Sequence, residues 1–578
     1  MQLKIFLFIF IILLPLYAEN NDTVSIITPS TNPIVIDIND VKKQTFCKQP
    51  RLYKNAKTFA NLNTPVETRA FYEEYCKHEK LLPWFDSQLK LTPQAKELFE
   101  SIKNSYNNGL NPDKYHLQEL LKKQEQLSQN NFTTAMQKAT LINSINLLLS
   151  DGYISLAQDL YYGFTDWDKF KQLKIDDEPI AWERTKKVPL RSARRLYTSL
   201  QKNSIKSSLE VLNPDFKEYT RLVKALAHYR SLQKETHQFF IPVGPPIRFN
   251  NVDPRLPLIQ KRLLESGDLI EITDENATTY NDTALIQAVK RFQERHSMTP
   301  DGLIGKKTLQ AMNMTIADKI TKIILNLERY RWQNSSIDHK QAYINVNIPA
   351  YSLQILENES EVLHMNVIVG KKDRPTPILN SKISYAVLNP TWTAPQTIIK
   401  EDILEKPNIL DYLQKHDMHV YRQINGEMVE QNPYEIDWEL YQKEGKSPFK
   451  FVAESGKSNP LGVVKFIFPN KYSIYMHDTN SRGLFKSEYR ALSSGCIRLG
   501  EPKKLLTYLS PKEDRISSEV ESEHKVELKN RLPIVIRYMT VGVTPTQKVC
   551  FYDDVYGYDE MLLHAINKIN FANRGTYY

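Results

Sequence analysis

The apolar residues of this chain change their period once, and that change divides what the chain can fold into. Up to about residue 340 they recur at helical spacing, as in Ala95, Leu98, Phe99 and Ile102, in Leu256, Ile259 and Leu263, and in Ile320, Ile323, Ile324 and Leu327. Steps of three and four put such residues on one face of a helix. From about Gln341 the step becomes two. Ile344, Val346 and Ile348 alternate with Asn345 and Asn347, Leu353 and Ile355 continue, Glu357-Asn358-Glu359 makes a turn, and Met365, Val367 and Val369 return. Alternation predicts antiparallel strands with one buried face, and residues 383–388, 463–468, 473–476 and 534–538 add more. The expected fold class is multi-domain α+β, with a mainly β sandwich or barrel over 341–545 behind an all-α half.

A chain of 578 residues exceeds one hydrophobic core, so several domains are expected. In the helical half, Thr92 caps a helix that has Pro93 at its first position. A scaffold-like unit is placed at 46–240, and within it His78, His116 and His228 read as structural because no partner stands at ligand spacing. Pro242, Pro245 and Pro246 punctuate a boundary. A three-helix unit follows at 247–315, with the turn Pro300-Asp301-Gly302-Leu303-Ile304-Gly305 and Thr308 as a cap for the helix carrying Leu309 and Met312. Residues 316–340 read as an amphipathic connecting helix, with Ile320, Ile323, Ile324, Leu327 and Arg331 on one side. Within the β domain the strand signal lapses over about 396–452, where a lid-like insert is expected, helical over 398–413. The aromatic, acidic tail at 546–578 reads as packing.

Residues 1–18 have the form of an export signal: Lys4, then 13 almost wholly apolar residues, then Ala18. Residues 19–45, rich in Asn, Asp, Thr and Pro, read as a flexible tether. Cleavage of the signal would leave a mature protein outside the cytoplasm with no stable membrane span; an uncleaved N-terminal anchor is the alternative. The 76 Lys and Arg against 67 Asp and Glu give +9, a mild bias that suits a polyanionic wall surface as well as it suits an ordinary solvated one. Neither a nucleic acid nor a metal or other cofactor is implied.

Chemistry concentrates near the C-terminus, in Tyr475-Met476-His477-Asp478 and Ser493-Ser494-Gly495-Cys496-Ile497-Arg498. Nineteen positions separate His477 from Cys496, too far for one helical turn but natural for a strand end and a loop folding back. A cysteine nucleophile needs an imidazole to draw off its proton. Gly495 lets the backbone bend, so that its N–H and that of Cys496 converge on a developing oxyanion. Tyr475, two residues before His477, projects to the same strand face and brings a hydroxyl toward the oxyanion, or else is a packed aromatic. Arg498 offers a bidentate grip for a substrate carboxylate, or pairs with an internal acid. Ser493 and Ser494 are weaker nucleophile candidates, because an alkoxide is far less accessible than a thiolate near neutral pH.

These motifs resemble the bacterial L,D-transpeptidases, the cysteine enzymes that cross-link peptidoglycan. Ser494 stands where most members carry histidine, which is similar to the large multi-domain subgroup with a Ser-Ser-Gly-Cys motif. The segments 109–116 and 151–163 resemble that subgroup's helical scaffold domain. Ala288-Val289-Lys290-Arg291-Phe292-Gln293 and the run from Asp301-Gly302 to Thr308-Leu309 resemble a peptidoglycan-binding domain. Asn389-Pro390-Thr391-Trp392 resembles a segment near the family's site, so Asn389 and Trp392 are expected at substrate, with Trp392 as a core residue the alternative.

The resemblance implies that Cys496 attacks the third residue of a tetrapeptide stem, expels D-alanine and forms a thioester, which an amine of a second stem resolves into a 3-3 link. His477 would serve first the thiol and then the amine, oriented by the backbone carbonyl of Asp478 rather than by its carboxylate. Stem peptides are then the partners, with other cell-wall enzymes as further candidates, the place is periplasm or cell wall, and carbapenems should acylate Cys496. Hydrolysis by an L,D-carboxypeptidase differs only in the acceptor. An NlpC-type endopeptidase places Cys before His, the reverse of this order, and an inactive wall-binding scaffold would have no use for an intact His477, Gly495 and Cys496. A reduced Cys496 in an oxidising compartment is most compatible with a Cys47–Cys76 disulfide and a free Cys550; four free thiols is the alternative.

Overall fold

The computed structural model describes residues 36–79, 82–175, 178–183, 188–235, 239–333, 340–444, 447–511 and 522–570. The export signal and most of the expected tether lie outside them. The last ten tether residues are not linker. Asp37 accepts a hydrogen bond from the Asn39 N–H and caps the helix Ile38–Lys43, which sinks Val41 completely into the helical core. Composition misleads here because Asp and Asn are cap formers as well as linker residues. Among the described residues, no helix is long and apolar enough to cross a membrane.

The helical half is built around Ala135–Tyr162, opened by a Thr134–Gln137 capping box. Its apolar residues run all the way round, so other helices must enclose it; Pro65–His78 and Pro93–Asn104 do so through a shared core holding Tyr72, Trp84 and Tyr115. Thr92 caps the second of these as its sequence predicts. Buried Asp151 accepts from Thr64 N–H at 2.8 Å and lies 2.6 Å from His116 Nε2, which makes that histidine a structural partner.

Cys47 and Cys76 are disulfide-bonded, with Cα atoms 4.8 Å apart, while Cys496 and Cys550 are free. Replacing both bonded cysteines by serine is expected to lower the stability of this half by about 3 kcal/mol, through the loop freed in the unfolded chain. Urea denaturation of the full chain, followed by tryptophan fluorescence, reads this directly.

The connecting helix Ile316–Trp332 departs from its amphipathic pattern. Its apolar face packs as expected and buries Arg331 with it, yet Glu328 and Arg329 on the other sides are buried as well. Glu328 accepts from Thr165 N–H at 2.8 Å and from the Trp332 indole at 3.1 Å, and pairs with Arg331 at 3.3 Å. Arg329 pairs with Asp559 near the chain's end. Neighbouring elements have closed over a polar face, and ion pairs compensate the charges. In the three-helix unit, comprising Leu256–Glu265, Thr283–Arg295 and Lys306–Met312, Thr308 is not a cap. It lies inside its helix, buried, and Gly305 precedes the first turn.

The main sheet has strands β1 (Tyr343–Asn347), β2 (Ser352–Glu357), β3 (Ser360–Gly370), β4 (Leu379–Lys382) and β5 (Tyr385–Leu388). After the insert come β6 (Val464–Ile467), β7 (Met476–His477), β8 (Ala491–Ser493), β9 (Ile497–Leu499), β10 (His524–Glu527) and β11 (Pro533–Arg537). Their order is β10-β5-β6-β7-β9-β3-β2-β1-β11-β4, with β8 also on β3. Strands β4 and β5 are two residues apart in the chain but stand near opposite ends of this path, so the sheet must curl back on itself. One core fills the curl, with Ile344, Val346, Leu353, Val367 and Phe466 fully buried. The tail joins it: Val549–Phe551 pairs with Val541–Val543, and Tyr556, Tyr558 and Leu562 enter the sheet's core.

The insert is not without strands. Met418–Ile424, Glu427–Gln431 and Phe449–Ala453 form a sheet of their own, completed by Trp392–Thr393. The Glu427–Gln431 edge strand has almost no buried face, which erased the alternation, but Asn425-Gly426, both with positive φ, was a readable two-residue hairpin turn. The helix expected over 398–413 is interrupted as well. Its first part ends in a π turn at Ile399–Ile403, and Pro407 precedes the separate helix Ile409–Lys415.

Candidate active site

Strands β7 and β9 run parallel, with Met476 opposite Ile497 and His477 opposite Arg498. Strand alternation then sorts the residues. Met476, Ile497 and Leu499 enter the core, while Tyr475, His477, Cys496 and Arg498 share the other face and line a cavity of about 670 Å³. Parallel pairing across a loop is thus what closes the nineteen-residue separation. Ser494 and Trp392 line the same cavity, and Trp392 is also a core residue of the insert.

The bend before the cysteine is at Gly495, whose φ of +108° is hostile to a Cβ. A second glycine fixes the neighbouring turn: a Cβ on Gly370 would lie 2.2 Å from the Arg374 carbonyl oxygen. Thr376 ties the two together, its hydroxyl accepting from Gly370 N–H at 2.8 Å and donating to the Gly495 carbonyl at 2.9 Å. One expectation changes. The Gly495 N–H donates to Ser493 Oγ at 3.2 Å, so it does not converge with that of Cys496 on an oxyanion in this state. The Cys496 N–H has no protein acceptor among the described residues. Ser493 is a loop fastener, since its hydroxyl donates to the Cys496 carbonyl.

His477 Nδ1 lies 2.6 Å from the Asp478 carbonyl oxygen. A carbonyl only accepts, so Nδ1 carries the proton and Nε2 is left as the basic atom. The carboxylate of Asp478 is engaged elsewhere, by Val463 N–H at 3.0 Å and by Arg482. Burial pushes the His477 imidazole down to about 3; the Arg498 guanidinium adds to this, and the bond to Asp478 opposes it. Burial pushes the Cys496 thiol up to about 11, against a backbone hydrogen bond with Tyr475 and the charge of Arg498. Near neutral pH both groups are therefore uncharged, a thiol beside an imidazole. Alkylation of Cys496 by iodoacetamide is accordingly expected to accelerate by about tenfold per pH unit toward pH 11, whereas a resting thiolate–imidazolium pair would level off between about pH 6 and 7.

Tyr475 has its ring centre 5.6 Å from that of His477, and its hydroxyl is hydrogen-bonded by the Trp392 side chain. Arg498 forms no ion pair among the described residues, and its Nε is buried without a partner, so the internal acid considered for it is not there. Asn389 does not reach the cavity. It ends β5 with a φ of +41°, its N–H bonded to the Val463 carbonyl at 2.9 Å, and its carbonyl accepts from Ser455. The sequence reading missed Arg374, which lines the cavity and donates to Ser494 Oγ at 2.9 Å and to Asp402 of the insert at 2.6 Å. Its only signal was a charged turn, Lys371-Lys372-Asp373-Arg374, between an apolar strand and two prolines. Among the described residues, no cluster of His, Cys, Asp and Glu is suited to a metal ion.

Buried His477 and half-buried Cys496 thus stand on one face of a curled sheet and line one cavity. Residues 341–526 match the L,D-transpeptidase catalytic domain, 67–226 the scaffold domain, and 253–312 the "Putative peptidoglycan binding domain". A protein of Haemophilus influenzae named "Putative L,D-transpeptidase" is 32% identical over 281 residues, which are 46% of this chain and 55% of that protein. The chain thus spans about half the length of this curated relative. Solved L,D-transpeptidase structures from Xylanimonas cellulosilytica and Stackebrandtia nassauensis share 12% identity with it. They cover 51% and 52% of this chain and 99% and 97% of their own, with TM-scores of 0.18 and 0.21.

Proposed function

We propose that this chain is an exported L,D-transpeptidase that forms 3-3 cross-links in peptidoglycan, of the large subgroup with a Ser-Ser-Gly-Cys motif. The observation that carries the reading is the His477–Asp478 hydrogen bond, which leaves a basic Nε2 on the strand face that Cys496 shares. Because both groups rest uncharged, the proton moves as the carbon–sulfur bond forms: Sγ attacks the third-residue carbonyl while Nε2 takes the thiol proton. Collapse of the tetrahedral intermediate breaks the peptide bond, and the same proton passes to the departing D-alanine amine. The acceptor amine then attacks the thioester, gives a proton to Nε2, and the thiol is restored. The Cys496 N–H and the Tyr475 hydroxyl are the donors available to the oxyanion, and Arg498 and Trp392 the groups that meet the stem peptide. The three-helix unit would hold the glycan. Incubating the full chain with disaccharide tetrapeptides and reading the products by mass spectrometry tests this. Dimers linked through two third residues are expected; tripeptides alone would mean a carboxypeptidase, and unchanged tetrapeptide would sink both.

A further inference from the structure

The charge of the cavity is one-sided. Among the described residues, Lys371, Arg374, Lys406 and Arg498 bring four cationic side chains to its lining, and Asp402 brings the one carboxylate. That carboxylate is already committed. It forks onto Arg374, Oδ2 to Nη1 at 2.6 Å and Oδ1 to Nη2 at 2.8 Å, the geometry in which a guanidinium recognises a carboxylate ligand. The two halves of the pair belong to different bodies. Arg374 sits on the turn that Thr376 ties to Gly495, whereas Asp402 sits on the π turn of the insert. Glu401 and Asp373 stand 3.4 and 3.9 Å from Arg374 Nε, which has no hydrogen-bond partner among the described residues. The Asp402 side chain remains 35% exposed, so its hold is open to competition from solvent and ligand.

We propose that Arg374 is a carboxylate subsite whose resting occupant is Asp402, so that an entering substrate carboxylate takes the place of the insert and releases it. The identity of that carboxylate rests on the activity proposed above. In a tetrapeptide stem the departing D-alanine carries its C-terminal carboxylate one residue from the bond attacked, and Arg374 touches Ser494, two residues from the nucleophile. The insert would then stay latched to Arg374 through Asp402 and yield to an anionic peptide end.

Protection of Cys496 from iodoacetamide tests this, using the full chain with two competitors, N-acetyl-lysyl-D-alanine as the free acid and as its C-terminal amide. Peptide mass mapping reads Cys496 separately from Cys550. The acid is expected to protect the wild type at about tenfold lower concentration than the amide, and Asp402→Asn to lower the concentration of acid needed several-fold further. Arg374→Gln should erase the gap between acid and amide. A gap that survives in Arg374→Gln, or acid protection unchanged in Asp402→Asn, overturns the proposal. Asp402→Asn preserves side-chain size, so it decides the matter even if the Arg374 variant unfolds. Muropeptide turnover without an acid–amide gap would sink the subsite and leave the activity standing, and a gap without turnover would do the reverse.

Discussion

Replacing Cys496 by alanine is expected to abolish dimer and tripeptide formation alike, by roughly 10⁴-fold or more, because the proposed reaction runs through the thiol on the strand face that also carries His477. Ser494 faces the cavity, but its hydroxyl accepts from Arg374, and a guanidinium cannot serve as a base. The same substitution should remove the covalent adduct expected with a carbapenem. Opening the lactam ring expels nothing, so the wild-type peptide carrying Cys496 should gain the whole mass of the drug, and the alanine variant none. Cross-links that persist in the variant, or an adduct on Ser494, would overturn the assignment of the nucleophile.

The second large effect lies far from the chemistry. Glu328→Ala is expected to destabilise the chain by about 3–5 kcal/mol, since it strands Arg331, fully buried, without its carboxylate. It also deprives the Thr165 N–H and the Trp332 indole of their acceptor. A thermal melt of the full chain checks this. Glu328→Gln, which keeps an acceptor but not the charge, should lose less than the alanine variant; equal losses would mean that the charge pairing is all that matters there.

Much of this was legible in the residues. Period-two alternation located the curled sheet, and the residue types around His477 and Cys496 singled out segments that come to line one cavity. What was hidden depends on pairing between distant segments. Nothing local says that Arg374 meets an aspartate 28 residues on, or that Asn389 turns its polar groups into a strand end. Gly495 shows a subtler limit, for its freedom to bend was readable, whereas the side chain that takes up its N–H was not. The buried charges of Ile316–Trp332 were illegible for a different reason. A helical wheel assigns Glu328 and Arg329 to solvent, and only the elements that close over them turn that face into an interior.

That helix also bears on how such a chain can be divided. Leu325 and Trp332 belong to the core of the sheet, and Arg329 holds Asp559 in the tail. A fragment beginning at Gln341 would therefore lose part of its own interior and leave an acid without its counterion. The family boundaries mark units of descent; the cooperative unit is wider, and any exchange of catalytic parts between relatives would have to carry this helix and the tail along with the sheet.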